Sequence, residues 1–243
     1  EMCIRDRYNH LHIHPPLRSG RMKKHFIVLF AIIILSAANT AQCAINLRKL
    51  LISSDSLISA TQNAVAQGLY DKATELGELN VKMLKKEIIE DHEYKAKAML
   101  SLAHAYAACG NWEQAWKNAN SSAAMFKNLY SSSNPIYAIA LSDAAYYNAR
   151  RANYSFAKND ATKAFELYAG QNDKNVTAES KILSNLAYAH FLLGEYTQTK
   201  DLTNKAVSML DAAGAKQSAE YASALSLLAA ATSRTQSDPV SYT

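Results

Sequence analysis

Seven histidines, three cysteines and 21 carboxylates are the side chains from which this chain of 243 residues would have to build a catalytic or metal centre. His10, His12 and His14 alternate, and alternating imidazoles can grip a metal from one face of a strand. They fall, however, in residues 1–21, which read as a leader that carries no selected chemistry. His104 and His190 lie in helical segments at different phases of the pattern described below. A metal or proton-transfer role for them needs acidic partners converging from elsewhere in the chain, and no such cluster is visible in the sequence. The run Glu87-Ile88-Ile89-Glu90-Asp91-His92-Glu93 reads as a helix end and solvated loop. There is no glycine-rich phosphate loop, HExxH, CxxC or Gly-x-Ser-x-Gly. The expectation is therefore no catalytic residue, no metal, no cofactor and no enzyme. Cys3 lies in the leader and Cys43 at a processing site, so Cys109 alone belongs to the mature chain; it is expected to be a small buried packing residue. Asn120, Asn153 and Asn175 head glycosylation-type triplets, a pattern too frequent by chance to carry weight.

The charge is unevenly placed. The formal net charge is +5, but six of the 26 Lys/Arg and two of the 21 Asp/Glu lie in residues 1–44. The remainder carries 20 basic against 19 acidic residues, with no basic stripe to attract nucleic acid. Residues 22–44 have the form of a secretory signal: Met22-Lys23-Lys24, an apolar run FIVLFAIIIL, then the small and polar SAANTAQCA. Ten apolar residues make about 15 Å of helix, half a bilayer core and too short for a permanent anchor. Cleavage is expected near Cys43 or Ala44, and Gln42 ahead of Cys43 argues against lipidation. Residues 1–7 (EMCIRDR) resemble a translated sequencing-adapter remnant, with Met22 as the natural start. The expected organisation is leader 1–21, signal 22–44, folded domain 45–233 and flexible tail 234–243.

What positions any site is a repeat. Gly68-Leu69-Tyr70-Asp71-Lys72-Ala73 returns as Gly110-Asn111-Trp112-Glu113-Gln114-Ala115, as Ala152-Asn153-Tyr154-Ser155-Phe156-Ala157 and as Gly194-Glu195-Tyr196-Thr197-Gln198-Thr199, each 42 residues after the last. Leu102-Ala103 recurs at the same spacing as Ala144-Ala145, Leu186-Ala187 and Leu228-Ala229. Two patterns sharing one period indicate a repeat architecture. Met99, Leu102, Ala103 and Tyr106 form one apolar helical stripe, and Trp112, Ala115, Trp116, Ala119, Ala123 and Phe126 form the next. Gly110 ends the first helix in the left-handed region, and the short link makes the pair antiparallel. Helices are expected at 50–67, 70–88, 93–109, 112–130, 136–151, 154–169, 176–193, 196–211 and 217–233: four pairs plus an alanine-rich capping helix, an all-α solenoid.

These residues resemble the tetratricopeptide repeat, best in the unit of Leu102, Ala103, Tyr106, Gly110, Trp112 and Ala115. The period of 42 resembles the longer-helix variety of kinesin light chains. Ala152 for the turn glycine, Thr199 for the small alanine and Ala60-Thr61 for the Leu-Ala pair depart from the pattern. The resemblance implies that the first helices line a concave groove for a peptide or partner helix. Mapped here, that face comprises Gln62, Lys97, Leu100, His104, Ser142, Tyr146, Arg150, Lys181, Tyr188 and Phe191. Lys97, Arg150 and Lys181 would hold carboxylates of an acidic peptide, while Tyr146 and Tyr188 stack or donate hydrogen bonds. The function expected is a periplasmic or secreted scaffold binding a protein or peptide, with no nucleic acid and no membrane span after cleavage. The alternative is a self-assembling structural component of an envelope complex.

Overall fold

The computed structural model describes the backbone of residues 19–130, 134–172 and 174–237, but not the side chains of 19–41, 43 and 237. Two compact units divide the chain, 1–50 and 51–243. The described residues form nine helices and no strand: α1 (Ser19–Ala66), α2 (Tyr70–Glu87), α3 (Glu93–Ala108), α4 (Trp112–Tyr130), α5 (Pro135–Arg150), α6 (Tyr154–Ala169), α7 (Val176–Leu192), α8 (Tyr196–Ala212) and α9 (Ala219–Ser237). The helical repeat is as the spacing requires: α2, α4, α6 and α8 begin on the aromatic residues Tyr70, Trp112, Tyr154 and Tyr196, 42 residues apart. One boundary differs. The first helix begins at Ser19 and not near residue 50. Between Gly20 and Gly68 there is no glycine or proline to stop it.

In the first unit, the backbone from Ser19 is helical, and the described side chains at 44–49 are exposed. Residues 1–18, including the three alternating histidines, lie outside the described residues, as do the side chains of the apolar run in the signal-like segment. Among the described residues no helix is long and apolar enough to cross a membrane.

The second unit is the repeat array. Each first helix ends in the same left-handed turn: φ is +74° at Gly68, +76° at Gly110, +66° at Ala152 and +78° at Gly194. The amide after each turn residue reaches back five residues, as in Leu69 N–H to Ala64 O (2.9 Å) and Asn111 N–H to Tyr106 O (2.9 Å), which satisfies carbonyls the helix end would orphan. Ala152 adopts this conformation despite its Cβ. Its turn is held by Asn148 Oδ1, which accepts from Arg151 Nη1 (3.0 Å) and Asn153 Nδ2 (2.9 Å).

The second helices bury a narrow stripe. In α4 it is Ala115, Ala119, Ser122, Ala123 and Phe126; in α6, Ala157, Ala161, Ala164 and Tyr168. Small residues let helices approach closely, and one large side chain fills the far end. In α8, Thr199 and Thr203 take alanine positions at full burial, because their hydroxyls donate to Glu195 O (3.0 Å) and Thr199 O (2.7 Å). α5 and α7 start on asparagine caps: Asn134 Oδ1 accepts from Ile136 N–H (2.8 Å) and Asn175 Oδ1 from Ala178 N–H (3.0 Å). Sandwiched between neighbouring helices, α3, α5 and α7 are buried on most of their circumference. Cys109 corrects the sequence reading: it is exposed, because it caps α3 at the turn, where the chain leaves the core.

Candidate functional site

Three successive first helices place side chains at the same phase, 42 residues apart: His104, Tyr146 and Tyr188, and one turn earlier Leu100, Ser142 and Ser184. Because α3, α5 and α7 stack in register, these rows lie side by side. Of these rows Tyr146, Tyr188 and Ser184, together with the start of α4 and one face of α9, wall a cavity of about 780 Å³, within the usual range for ligand pockets. Tyr146, Lys181, Tyr188 and Phe191 line it, together with Trp112, Asp143, Tyr147, Ser184 and Asn185.

The wall is aromatic. Tyr146 lies 5.2 Å from Tyr188, 5.7 Å from Tyr147 and 6.5 Å from Trp112, centroid to centroid, the last edge to face. These are favourable aromatic separations. Arg150 lays its guanidinium 4.3 Å from the Trp112 ring centre, and its Nη1 donates to Tyr188 Oη at 3.3 Å. The ladder therefore crosses from one repeat to the next.

Beneath it lies a residue that sequence reasoning missed. Asp143, 2% exposed, receives Lys181 Nζ at 2.7 Å (Oδ1) and 2.9 Å (Oδ2), and His104 Nε2 at 2.8 Å (Oδ2). A carboxylate only accepts, so the imidazole hydrogen sits on Nε2. Burial by itself would raise the Asp143 carboxyl; the Lys181 ammonium and the His104 contact outweigh it and hold the group well below the usual carboxylate range. Tyr147, almost fully buried, is pushed well up by burial and by the Asp143 charge. The sequence shows no acidic partner for His104, yet α5 brings one across the repeat boundary. His190 differs: its Nδ1 meets Glu195 Oε2 five residues on in the turn of its own repeat, and it is Lys158 of the preceding repeat that comes across, with Nζ 2.7 Å from both Glu195 oxygens. The available signal was that Asp143 is the only acid in α5, three residues before the groove-facing Tyr146.

The other mapped residues stand apart from the cavity wall. Gln62 is exposed on α1, and Lys97 pairs with Glu93 on its own helix. Leu100 is half-buried between two core clusters. Ser142 is 1% exposed and covered by Asn185, whose Nδ2 donates to its Oγ at 3.0 Å. Two of the three cations assigned to carboxylates are thus already paired within the chain, Lys97 with Glu93 and Lys181 with Asp143. Arg150 is engaged with Trp112 and Tyr188 rather than with an acid. Ser184 Oγ is buried without a hydrogen-bond partner on the cavity wall. Among the described residues no three metal-ligating side chains come together.

No family model and no curated protein matches the sequence. Solved structures do resemble it. A point variant of a protein described as a kinesin light chain with nearly identical TPR-like repeats, from Podosopora anserina, aligns over 75% of this chain and 86% of its own, at 17% identity and a TM-score of 0.61. The unmutated form gives 75%, 87%, 17% and 0.60. BtubC (BKLC) from P. vanneervenii aligns over 66% of this chain and 64% of its own, at 15% identity and a TM-score of 0.58. The fold of this chain is that of a tetratricopeptide-like helical-repeat solenoid.

Proposed function

We propose that the chain is an exported scaffold whose repeat array binds an extended peptide or a partner protein in the cavity walled by α3, α5, α7 and α9. The observation that carries this reading is the aromatic ladder of Trp112, Tyr146 and Tyr188, half-exposed and backed by the buried Tyr147. Aromatic side chains with a polar tip offer large contact area at low conformational cost, the profile of binding hot spots. No reaction is required to explain the arrangement: the strongly perturbed carboxylate among the described residues, Asp143, is saturated by its own neighbours. A photo-crosslinking amino acid at Tyr188, compared with one at the exposed Glu75 of α2, tests the reading. Adducts at Tyr188 that are absent at Glu75 and lost in Tyr146→Ala support it; equal adducts at both sites refute it.

Export rests on the sequence of residues 22–44. The mass of the protein recovered from the periplasm is expected to correspond to a start near Cys43 or Ala44, and full-length mass retained in the membrane would reject it. One observation favours the alternative of self-assembly. In α9, Leu225 is 41% exposed, whereas its counterpart one repeat earlier, Leu183, is fully buried beneath a second helix. A molar mass that rises with concentration, and stops rising in Leu225→Glu, would favour that reading.

A further inference from the structure

We infer that the groove selects uncharged extended segments bearing proline or aromatic side chains, and that Asp143 sets this selectivity by occupying the groove's cation from within. This rests on the reading of the cavity as a peptide site. The argument begins with charge. Lys181 faces the cavity but holds both oxygens of a carboxylate that is 2% exposed. An acidic ligand reaching for Lys181 would have to compete with Asp143, whose release would leave a buried charge unpaired. It would also bring a second negative charge close to the first. Glu220 on α9 adds a further carboxylate to the wall. Arg150 is stacked on Trp112 outside the lining, so the cavity wall carries two carboxylates, Asp143 and Glu220, against one cation, Lys181, and offers no attractive field to an acidic peptide.

What the cavity does offer is faces and hydroxyls. Tyr146 and Tyr188 sit 5.2 Å apart and tilted by 48°, giving a stepped shelf and not a flat wall. Ser184 Oγ, buried and unpartnered, and the phenol hydrogen of Tyr188, whose oxygen already accepts from Arg150, are free to meet backbone groups. A polyproline-type segment leaves all its carbonyls unsatisfied and enters already ordered, which suits an aromatic groove with hydroxyl donors. Selectivity against acids thus comes from the chain supplying its own.

The test uses two short fluorescent peptides, one of proline and tyrosine with no charged side chain, and one of equal length with glutamate at alternate positions. Fluorescence anisotropy is read with the wild-type chain and with Asp143→Asn. The wild type is expected to bind the neutral probe at least about tenfold more tightly. That affinity should change less than about twofold between about 50 and about 500 mM salt. Asp143→Asn frees Lys181 and should narrow the preference by about tenfold. A wild type that prefers the glutamate probe, or a neutral-probe affinity that collapses with salt, overturns the inference while leaving the groove a peptide site. An unchanged ratio in a folded Asp143→Asn does the same. If that variant does not fold, the wild-type preference and its salt dependence still decide. Failure of the wild type to bind either probe counts against the peptide reading itself.

Discussion

Ala152 is the residue whose replacement most directly tests the physics of the array. It occupies a turn position where the equivalent residues are Gly68, Gly110 and Gly194, and it adopts φ +66° beside their +74° to +78°. A Cβ built on each of those glycines meets nothing within 4 Å, so the turn leaves room for a methyl group and only the backbone objects to it. An L-residue in the left-handed region costs about 1–2 kcal/mol. Ala152→Gly removes that strain and returns about 0.4–1 kcal/mol to the unfolded chain as extra freedom. The net expected gain is about 0.5–1 kcal/mol, a rise of about 0.3 M in the urea midpoint at an ordinary slope. Gly110→Ala should move the midpoint down by a similar amount. The Asn148 bridges to Arg151 and Asn153 brace the strained turn, so Asn148→Ala should cost less in the Ala152→Gly background than alone. An Ala152→Gly midpoint at or below wild type, with unchanged slope, would refute the reasoning.

Other outcomes follow from the same geometry. Asp143→Asn should destabilise the fold by about 1–3 kcal/mol, read by denaturation at neutral pH, because it replaces the charged acceptor of Lys181 and His104 by a neutral one while both partners keep access to water. The carboxyl is held below its ordinary range, so its contribution is complete above about pH 4 and is lost as pH falls through the folded value; the thermal midpoint of Asp143→Asn should fall less on acidification than that of wild type. Tyr106, raised to about 12 by burial and by its hydrogen bond to Glu78, should appear as a phenol of that midpoint in the difference titration between wild type and Tyr106→Phe, and Glu78→Gln should lower it. Its folded pKa is the higher one, so the associated stability is complete below about pH 10 and lost as pH rises towards that midpoint. Gly77→Val should cost about 2 kcal/mol in a denaturation midpoint, since a Cβ there would lie 2.9 Å from Leu102 Cδ1 and 3.3 Å from its Cα.

Much of the fold was legible because repeats write the same local physics several times. The aromatic starts at Tyr70, Trp112, Tyr154 and Tyr196 and the turn residues at Gly68, Gly110, Ala152 and Gly194 fixed helix number, pairing and register. Two places were misjudged. Nothing in the pattern said where the helix before Gly68 begins. Cys109 read as a packing residue from its type alone, although the turn carries it outward.

The site was legible only as a face. Tyr146, Lys181, Tyr188 and Phe191 were placed on it by helical phase and do line the cavity. What phase cannot give is which side chains meet across repeats. His104, Asp143 and Lys181 are 39 and 38 residues apart, and their meeting depends on the rise and twist between stacked pairs. Lys97 shows the converse: its acid, Glu93, is four residues away on the same helix, within reach of any reading of helix neighbours.

The sequence by itself determined the helices, their turns and their inward faces, because backbone conformation and hydrophobic phase are local properties repeated every 42 residues. Tertiary structure alone decided the charge of the groove. Electrostatic pairing acts over a few ångströms of space, and only the packing of α3, α5 and α7 brings Asp143 between His104 and Lys181 and so silences a cation that the sequence presents as free.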